Sequence, residues 1–253
     1  MSDPGKLSIN DAIHFALLSQ AAYGKIIVPV RDPASKFFMV DMTPAADCQC
    51  LIVLDSDRIT FAFRGTDDFR KMLADANVMF HDLGNGLKVH AGAWKLLDAL
   101  WPRLSIEADT HLPIYTTGHS LGGMLARLFT LRLAREKNIK VSESMTFGEA
   151  RTLNKGAADF YNRLNIPTYR LVDAADIVTR VPWRLGLYKH VGRSCFIDQT
   201  GQITFDEPWY AHILTDAVEV VQEAFRRENA PIYDHGIVRY INALTTYRLQ
   251  IGV

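Results

Sequence analysis

The sequence predicts an α/β fold with a mixed, mostly parallel central sheet and helices on both faces. From about residue 113 onward, short apolar runs typical of strands alternate with amphipathic stretches typical of helices. This alternation indicates right-handed crossovers and a parallel sheet. Before that point, three β-rich apolar runs follow one another, which favours antiparallel strands. The chain has 253 residues, 48% of them hydrophobic, with no repeat or linker, so we expect one domain over 1–253 with a deep core.

The first predicted element is a helix in "SINDAIHFALLSQAAYG", at 8–24. Ser8 and Asp11 have the spacing of a capping box, in which side chains bind free amides of the first turn. Four apolar residues at four-residue intervals predict the buried face of this helix. They are Ile9, Ile13, Leu17 and Ala21.

The next elements are strands, first consecutive and then separated by helices. The consecutive runs are "FFMV", "CLIVL" and "RITFAF", and the turn-like "DSD" joins the last two as in an antiparallel hairpin. Further on, "PIYTT" leads into the helix "LGGMLARLFTLRLAREK", "SESMTF" into the helical "KGAADFYNRL", and "TYRLV" into a loop. The sequence therefore predicts antiparallel strands at the front of the sheet and parallel strands at its centre.

Composition and charge narrow the classes of function. Lys plus Arg and Asp plus Glu both number 28, so no basic face is implied and we expect no nucleic-acid partner. No apolar run approaches the ~20 residues of a membrane-spanning helix, and "MSDPGKLSIN" lacks the layout of a signal peptide. The cysteines (Cys48, Cys50 and Cys195) form neither a disulfide framework nor a metal-ligand spacing. We expect free thiols, which favour a reducing compartment without assigning a localisation, and no metal or cofactor.

One serine stands at the change from strand to helix, in Gly118-His119-Ser120-Leu121-Gly122. This G-x-S-x-G pattern is typical of a strained strand-to-helix turn that presents the serine hydroxyl, with small residues where a Cβ would clash. The helix that follows directs its free N–H groups and positive dipole end towards whatever the serine attacks. Ser120 is therefore the candidate nucleophile.

A serine nucleophile needs a histidine base and an acid that orients the base. On this topology the partners follow in the order serine, acid, histidine, with the acid in a loop after a later strand. The segment "TYRLVDAADIVTRVP" offers Asp173 and Asp176. The later histidines are His190, His212 and His235. The pattern leaves every combination of these acids and histidines open.

Several further motifs, taken in order, resemble those of the class 3 lipases, the α/β-hydrolase family of the fungal triacylglycerol lipases. They are "FRGT" at 63–66, "KVHAGAW" at 88–94, "GHSLGG" at 118–123, "TFGEAR" at 146–151, "DAADIVTRVP" at 173–182, "HVG" at 190–192 and "DHGIVRY" at 234–240. The run covers most of the chain from residue 60 onward and is far more specific than the G-x-S-x-G pattern by itself. The resemblance implies an α/β-hydrolase fold.

The resemblance also assigns roles within the site. It makes Asp176 the acid and His235 the base, and it leaves Asp173 and His190 as structural neighbours. Leu121, the residue after the nucleophile, supplies one backbone N–H to the oxyanion. "FRGT" on its own is typical of a strand-ending turn, but the resemblance makes Thr66 the second oxyanion residue, donating its N–H and its hydroxyl.

The segment after Thr66, at about 67–80, has the pattern of a short amphipathic helix. Phe69, Met72, Leu73 and Ala76 fall on one stripe. A surface helix packed on the core would have the same pattern. The resemblance implies a lid that covers the serine and moves at a lipid surface, with Met72 where the family usually carries tryptophan. The charged flanks of the stripe speak against strong interfacial activation.

The expected activity is that of a serine carboxylester hydrolase, a lipase acting on acylglycerols or related lipid esters. The alternatives within the class are a phospholipase and a short-chain or feruloyl-type esterase, since the same triad serves them all. A catalytically silent lipid-binding module is the alternative of another class. The expected partner is a lipid ester substrate at a lipid–water interface.

Overall fold

The computed structural model describes residues 7–24, 31–43, 46–66, 79–108, 110–173, 176–180, 187–198, 200–205 and 236–252. The α-helices in these ranges are α1 (Ile9–Ala21), α2 (Ala91–Glu107), α3 (Leu121–Arg132), α4 (Lys155–Arg163) and α5 (Ile237–Gln250). The strands are β1 (Lys36–Thr43), β2 (Ala46–Leu54), β3 (Ile59–Phe63), β4 (Phe80–Asp82), β5 (Lys88–His90), β6 (Ile114–His119), β7 (Glu143–Phe147), β8 (Thr168–Asp173), β9 (Arg193–Ile197) and β10 (Ile203–Phe205).

The central sheet is mixed and mostly parallel, as predicted. Among the described residues it contains eight strands in the order β1-β2-β3-β6-β7-β8-β9-β10. The run from β3 through β6, β7 and β8 to β9 is parallel. β1, β2 and β3 are antiparallel at one side, and β10 is antiparallel to β9 at the other. The predicted antiparallel front and parallel centre are both confirmed.

Helices cover both faces of this sheet and enclose two apolar layers. α2, α3 and α4 pack on one face, in a core that includes Leu97, Phe129 and Tyr161. α1 and α5 pack on the other face, around Phe15 and Tyr240. Each face of the parallel strands is therefore buried, as expected for strands with helical crossovers.

The first helix begins where its cap predicts, and its buried face agrees with the prediction in part. Ser8 accepts a hydrogen bond from the backbone N–H of Asp11 at 3.3 Å. Of the predicted residues, Ile9 and Ala21 are buried, whereas Ile13 and Leu17 are half-buried. The face that meets the sheet is centred instead on residues at the three- and four-residue spacing of one helical stripe, which are Ala12, Phe15, Ala16 and Ser19.

The register of the parallel strands brings their carboxyl ends to one edge of the sheet. Phe63 at the end of β3 pairs with Gly118, and His119 at the end of β6 pairs with Phe147. Ser120 continues this ladder, because its N–H donates to the Phe147 carbonyl at 2.9 Å. The segments after β3, β6 and β8 therefore leave the sheet side by side, which is where ligands bind in parallel α/β sheets.

Most of the predicted lid-like segment cannot be compared with the structure. Residues 67–78, which include Phe69, Met72 and Leu73, lie outside the described residues. Phe80, the last residue of the predicted range, begins β4. In the described ranges, no helix has the length and apolar character needed to span a membrane.

Candidate active site

Ser120 occupies the strained turn that the sequence predicts. Its backbone angles are φ 59° and ψ −124°, between the end of β6 and the start of α3. A positive φ costs a residue with a side chain of order 1–3 kcal/mol and is retained where the surrounding structure enforces it. The side chain is fully buried, and its Oγ has no hydrogen-bond partner among the described residues. A buried, strained hydroxyl of this kind is typical of a functional position.

The glycines on either side of Ser120 are required by backbone contacts. A Cβ on Gly118 would overlap the backbone of Gly122, and a Cβ on Gly122 would overlap the carbonyl group of Phe63. Because the obstacles are backbone atoms, no rotamer change relieves them. At this turn, the end of β6 lies against the start of α3, and the start of α3 lies against the end of β3. Only glycine fits at these close approaches, which is the reason for the glycines in the pattern.

The amide of Leu121 lies at the amino end of α3. Leu121 is the first residue of α3 and follows Ser120 directly. The N–H groups of the first helical turn have no intrahelical acceptor, and the helix dipole adds partial positive charge there. The first intrahelical bonds begin later, where Gly123 and Met124 donate to the Ser120 carbonyl at 3.0 and 3.3 Å. The Leu121 N–H is thus free of an intrahelical acceptor at the amino end of α3, and its role as an oxyanion donor stays a prediction.

The turn that carries Thr66 lies against the nucleophile turn. A Cβ on Gly65 would lie 2.6 Å from the carbonyl oxygen of His119 and 3.3 Å from Cβ of Ser120. The same position is also blocked by the Tyr23 hydroxyl, which is hydrogen-bonded to Nδ1 of His119 at 2.9 Å. Thr66, the next residue, is half-buried. The "FRGT" segment is therefore next to Ser120, where an oxyanion donor is needed.

Asp176 is a buried carboxylate with fixed orientation. Oδ1 accepts the backbone N–H of Val178 at 2.9 Å, and Oδ2 accepts the hydroxyl of Tyr240 at 2.6 Å. Its carbonyl oxygen accepts the Thr179 hydroxyl at 3.0 Å. The arrangement suits a group that must hold a histidine N–H.

Asp173 is engaged differently from Asp176. It ends β8, is buried, and its Oδ2 lies 2.6 Å from Nε of Arg239 in α5. A charge-assisted bond of this length fixes the carboxylate against α5. The ion pair ties Asp173 to α5, while the hydrogen bonds described above tie Asp176 to Val178 and Tyr240.

The candidate histidines divide into one that the structure describes and two that it does not. His190 lies 2.8 Å through Nε2 from the Thr179 carbonyl oxygen. Since a carbonyl only accepts, Nε2 carries the proton. Burial, followed by the charges of Arg170 and Arg151, holds the pKa of His190 well below its ordinary value, so the ring is neutral and supports the loop after Asp176. His212 and His235 lie outside the described residues, and the role of His235 stays a prediction.

A buried ion pair behind the nucleophile turn was not anticipated from the sequence. Arg127 in α3 donates to Glu149 through Nε at 3.2 Å and Nη2 at 2.8 Å, and to the Tyr161 hydroxyl at 2.7 Å. Burial opposes the charge, but Glu149 and Tyr161 keep the pKa of Arg127 above its ordinary value. A Cβ on Gly123 would lie 3.0 Å from Cβ of Glu149. The sequence does contain a signal for this pair, an arginine inside the apolar helix "LGGMLARLFTLRL". Because buried arginines are almost always paired, this arginine indicates a buried partner.

Potential metal ligands do not cluster in the part of the chain that the structure describes. Within those ranges, no group of three or more His, Cys, Asp or Glu side chains is arranged to hold a metal ion. Cys50 and Cys195 are buried free thiols. The polar groups at the carboxyl ends of the described parallel strands include the Ser120 hydroxyl, the His119 imidazole and the Asp173 carboxylate.

The chain is similar to known proteins across the region that builds this site. The model of the family "Lipase (class 3)" matches residues 60–185. A lipase from Rhizopus niveus is 32% identical over 163 residues, which are 57% of this chain and 41% of that protein. A triacylglycerol lipase from Ricinus communis is 38% identical over 104 residues, which are 36% of this chain and 20% of that protein. The chain thus spans less than half the length of these two curated relatives.

The likeness extends to three-dimensional structure. The crystallised lipase II from Rhizopus niveus superimposes with a TM-score of 0.65 at 27% sequence identity, over 75% of this chain and 80% of that chain. The mixed sheet, the helices on both faces and the serine turn correspond to the α/β-hydrolase fold of such lipases. With the family match over residues 60–185 and the motifs in their order, the chain belongs to the class 3 lipase family.

Proposed function

We propose that the chain is a serine ester hydrolase of the lipase type that cleaves acylglycerols or related lipid esters through an acyl-enzyme on Ser120. The observation that carries the proposal is the position of Ser120, a buried hydroxyl on a strained turn at the start of α3. The names of the relatives, lipase and triacylglycerol lipase, support the choice of substrate class. The proposal treats residues 1–253 as one domain.

In the proposed reaction, Ser120 Oγ attacks the carbonyl carbon of the ester while His235 accepts the hydroxyl proton. The bond from the carbonyl carbon to the alcohol oxygen then breaks, and His235 returns the proton to the departing alcohol. Water next attacks the acyl-enzyme and gives a proton to His235. Collapse of this second intermediate releases the fatty acid, and Ser120 recovers its proton. Asp176 orients His235 and stabilises the imidazolium.

Each tetrahedral intermediate carries a negative oxygen that needs hydrogen-bond donors. In the proposal, the Leu121 N–H at the amino end of α3 is one donor, and the N–H and hydroxyl of Thr66 are the others. The proximity of Gly65 to Ser120 supports the role of Thr66, since the two turns are in contact. Donors fixed in advance act where charge develops, and one such donor contributes about 3–4 kcal/mol of transition-state stabilisation.

Access to Ser120 requires a movement of the chain. Ser120 is 0% exposed, so an ester cannot reach its hydroxyl until some covering group moves. We assign this gating to the segment at about 67–80, with Phe69, Met72 and Leu73 meeting the acyl chain when the lid is open. A lid of this kind excludes water from the closed site and opens at a lipid–water interface.

A panel of esters tests the proposal. Purified protein is assayed on short-chain and long-chain acylglycerols, a phospholipid and a feruloyl ester, each below and above the concentration at which it aggregates. We expect hydrolysis of acylglycerols that rises only modestly above aggregation, in keeping with the charged flanks of the lid-like segment, and is absent in Ser120→Ala. Turnover of the phospholipid alone, or of short soluble esters alone, would replace the substrate class with that of a phospholipase or an esterase. Lipid binding without turnover of any ester would favour the silent module.

A further inference from the structure

Tyr240 contacts both Asp176, the candidate acid, and His119, the residue before the candidate nucleophile. It is 0% exposed in α5, and its hydroxyl lies 2.6 Å from Oδ2 of Asp176. The same hydroxyl oxygen lies 3.3 Å from the backbone nitrogen of Asp173. Both contacts lie at the carboxyl end of β8, where the acid loop begins.

The direction of the Tyr240 proton follows from its two partners. The Asp173 N–H can only donate, so the Tyr240 oxygen accepts from it. The hydroxyl proton is then directed to Asp176, which accepts. Burial and the charge of Asp176 raise the pKa of Tyr240 well above its ordinary value, so the phenol keeps this proton throughout the working pH range.

The ring of Tyr240 is fixed by contacts on the nucleophile side. It packs edge-on against His119, the residue before Ser120, with 6.2 Å between ring centroids. It also packs edge-on against Phe147 at 6.0 Å, and the carbonyl of Phe147 accepts the Ser120 N–H. Edge-to-face pairs at these separations stabilise a defined ring orientation. Tyr240 is thus held by the nucleophile turn and in turn holds the acid.

The neighbouring residue in α5 strengthens the same junction. Arg239 pairs with Asp173 at 2.6 Å, so the first turn of α5 is bound to the acid loop by two consecutive side chains. α5 begins at Ile237, two positions after His235 in the sequence. The start of α5 is therefore tied to the loop that carries Asp176.

We propose that Tyr240 is a positioning residue that orients Asp176 for catalysis and ties it to the nucleophile turn. The inference rests on the proposed ester hydrolysis at Ser120, Asp176 and His235. It assigns Tyr240 no contact with substrate. Its effect is exerted through the carboxylate, whose rotation would misalign the base without removing any catalytic group.

The test removes the hydroxyl and keeps the ring. Tyr240→Phe retains the packing on His119 and Phe147 but loses the bond to Asp176. The matched control is Tyr247→Phe, in the same helix and half-buried against the apolar core on that face of the sheet, about two helical turns beyond Tyr240. Two quantities are measured for each variant: kcat and KM on a soluble ester, and the rate constant for labelling of Ser120 by a fluorophosphonate. Circular dichroism selects a temperature at which every variant is folded.

For Tyr240→Phe we expect kcat and the labelling rate to fall about 10- to 100-fold, the range for a lost hydrogen bond to a charged group. KM should change little, and Tyr247→Phe should resemble wild type. In an Asp176→Asn background, Tyr240→Phe should change the labelling rate less than about twofold, because the two residues act through one interaction.

The outcomes separate this inference from the proposed function. A wild-type rate in Tyr240→Phe would overturn the positioning role. So would an equal loss of rate from Tyr240→Phe in the wild-type and Asp176→Asn backgrounds. In either case, labelling of Ser120 in the wild-type protein would still support the ester hydrolase. Failure of the wild-type protein to label or to hydrolyse esters would overturn the proposed function itself, and the positioning role with it.

Discussion

Asp173 and Arg239 form an ion pair in which the carboxylate Oδ2 and the guanidinium Nε are 2.6 Å apart, with Asp173 buried and Arg239 half-buried. The pair joins the end of β8 to the first turn of α5. Asp176, three residues later, binds neutral donors at both carboxylate oxygens. From these contacts we expect Asp173 to be a structural acid and Asp176 the catalytic one, a choice that the spacing of the sequence leaves open.

Replacing each acid in turn should give opposite results. Asp176→Ala should lower kcat by about 10⁴-fold, the loss typical of a triad acid that no longer orients its histidine. Asp173→Ala should lower the free energy of unfolding by about 1–3 kcal/mol, because Arg239 loses its partner, and should retain most of kcat. Turnover of a soluble ester and thermal unfolding of both variants check this. The reverse pattern would transfer the acid role to Asp173.

The hydroxyl of Thr66 should matter for rate rather than for folding. Thr66→Val keeps the backbone N–H and nearly the same shape but removes the side-chain hydroxyl. Loss of the hydrogen bond from this hydroxyl to the oxyanion should lower the acylation rate on the order of a hundredfold, about 3 kcal/mol of transition-state stabilisation. Thr66→Ser keeps a hydroxyl and should keep much of the activity. Pre-steady-state acylation by a p-nitrophenyl ester, beside a melting curve, distinguishes the variants. Wild-type acylation in Thr66→Val would remove this hydroxyl from the mechanism.

Glu143 should make the protein less stable as the pH rises towards neutrality. Burial and the nearby charge of Asp11 raise the pKa of Glu143 to about 7, despite the opposing charge of Arg58. Between the unfolded value of 4.5 and about 7, the folded protein binds a proton that the unfolded chain has released, so the free energy of unfolding falls with pH.

The check is Glu143→Gln, which cannot ionise. Its melting temperature should exceed that of wild type at pH 8, and the difference should shrink as the pH approaches 4.5, where wild-type Glu143 is protonated. Because Glu143 begins β7 and Ser120 lies at the opposite end of that strand, the turnover of the variant should match wild type. A melting difference that is the same at pH 5 and pH 8 would contradict this account.

Gly122 should be intolerant of even a methyl group. In Gly122→Ala the new Cβ would overlap the carbonyl group of Phe63, and backbone atoms cannot rotate aside, so we expect a loss of more than about 3 kcal/mol. Gly92→Ala is the matched control, because Gly92 also lies in the first turn of a helix, and a Cβ there would approach only the His90 ring, at 3.3 Å. Denaturant unfolding of both variants provides the comparison. Equal free energies of unfolding for the two variants would contradict this, because the backbone of the nucleophile turn could then move apart with no loss of stability.

The local features of the fold and site were predictable because their causes are local in the sequence. Ser8 caps the start of α1, and the glycines around Ser120 mark the turn, since caps and tight turns depend on residues a few positions apart. The order of strands and helices gave the parallel centre of the sheet, because connections between parallel strands require crossovers.

What the sequence could not provide are the contacts between residues far apart in the chain. Tyr240 binds Asp176 across 64 positions, and Arg127 binds Glu149 across 22. Such pairs depend on how α5 and α3 pack on the sheet. The buried face of α1 was predicted only in part, with Ile9 and Ala21 buried but Ile13 and Leu17 half-buried, because packing on the sheet selects which stripe of the helix faces inward.

The central claim, that Ser120 is the nucleophile of an ester hydrolase, is tested most directly by covalent labelling. Wild-type protein and Ser120→Ala are treated with a fluorophosphonate, digested, and analysed by mass spectrometry. The account predicts one phosphonyl adduct on the peptide that contains Ser120, a parallel loss of ester hydrolysis, and no adduct in Ser120→Ala, which should remain folded. An adduct on a different residue with loss of activity, or undiminished hydrolysis by Ser120→Ala, would contradict it.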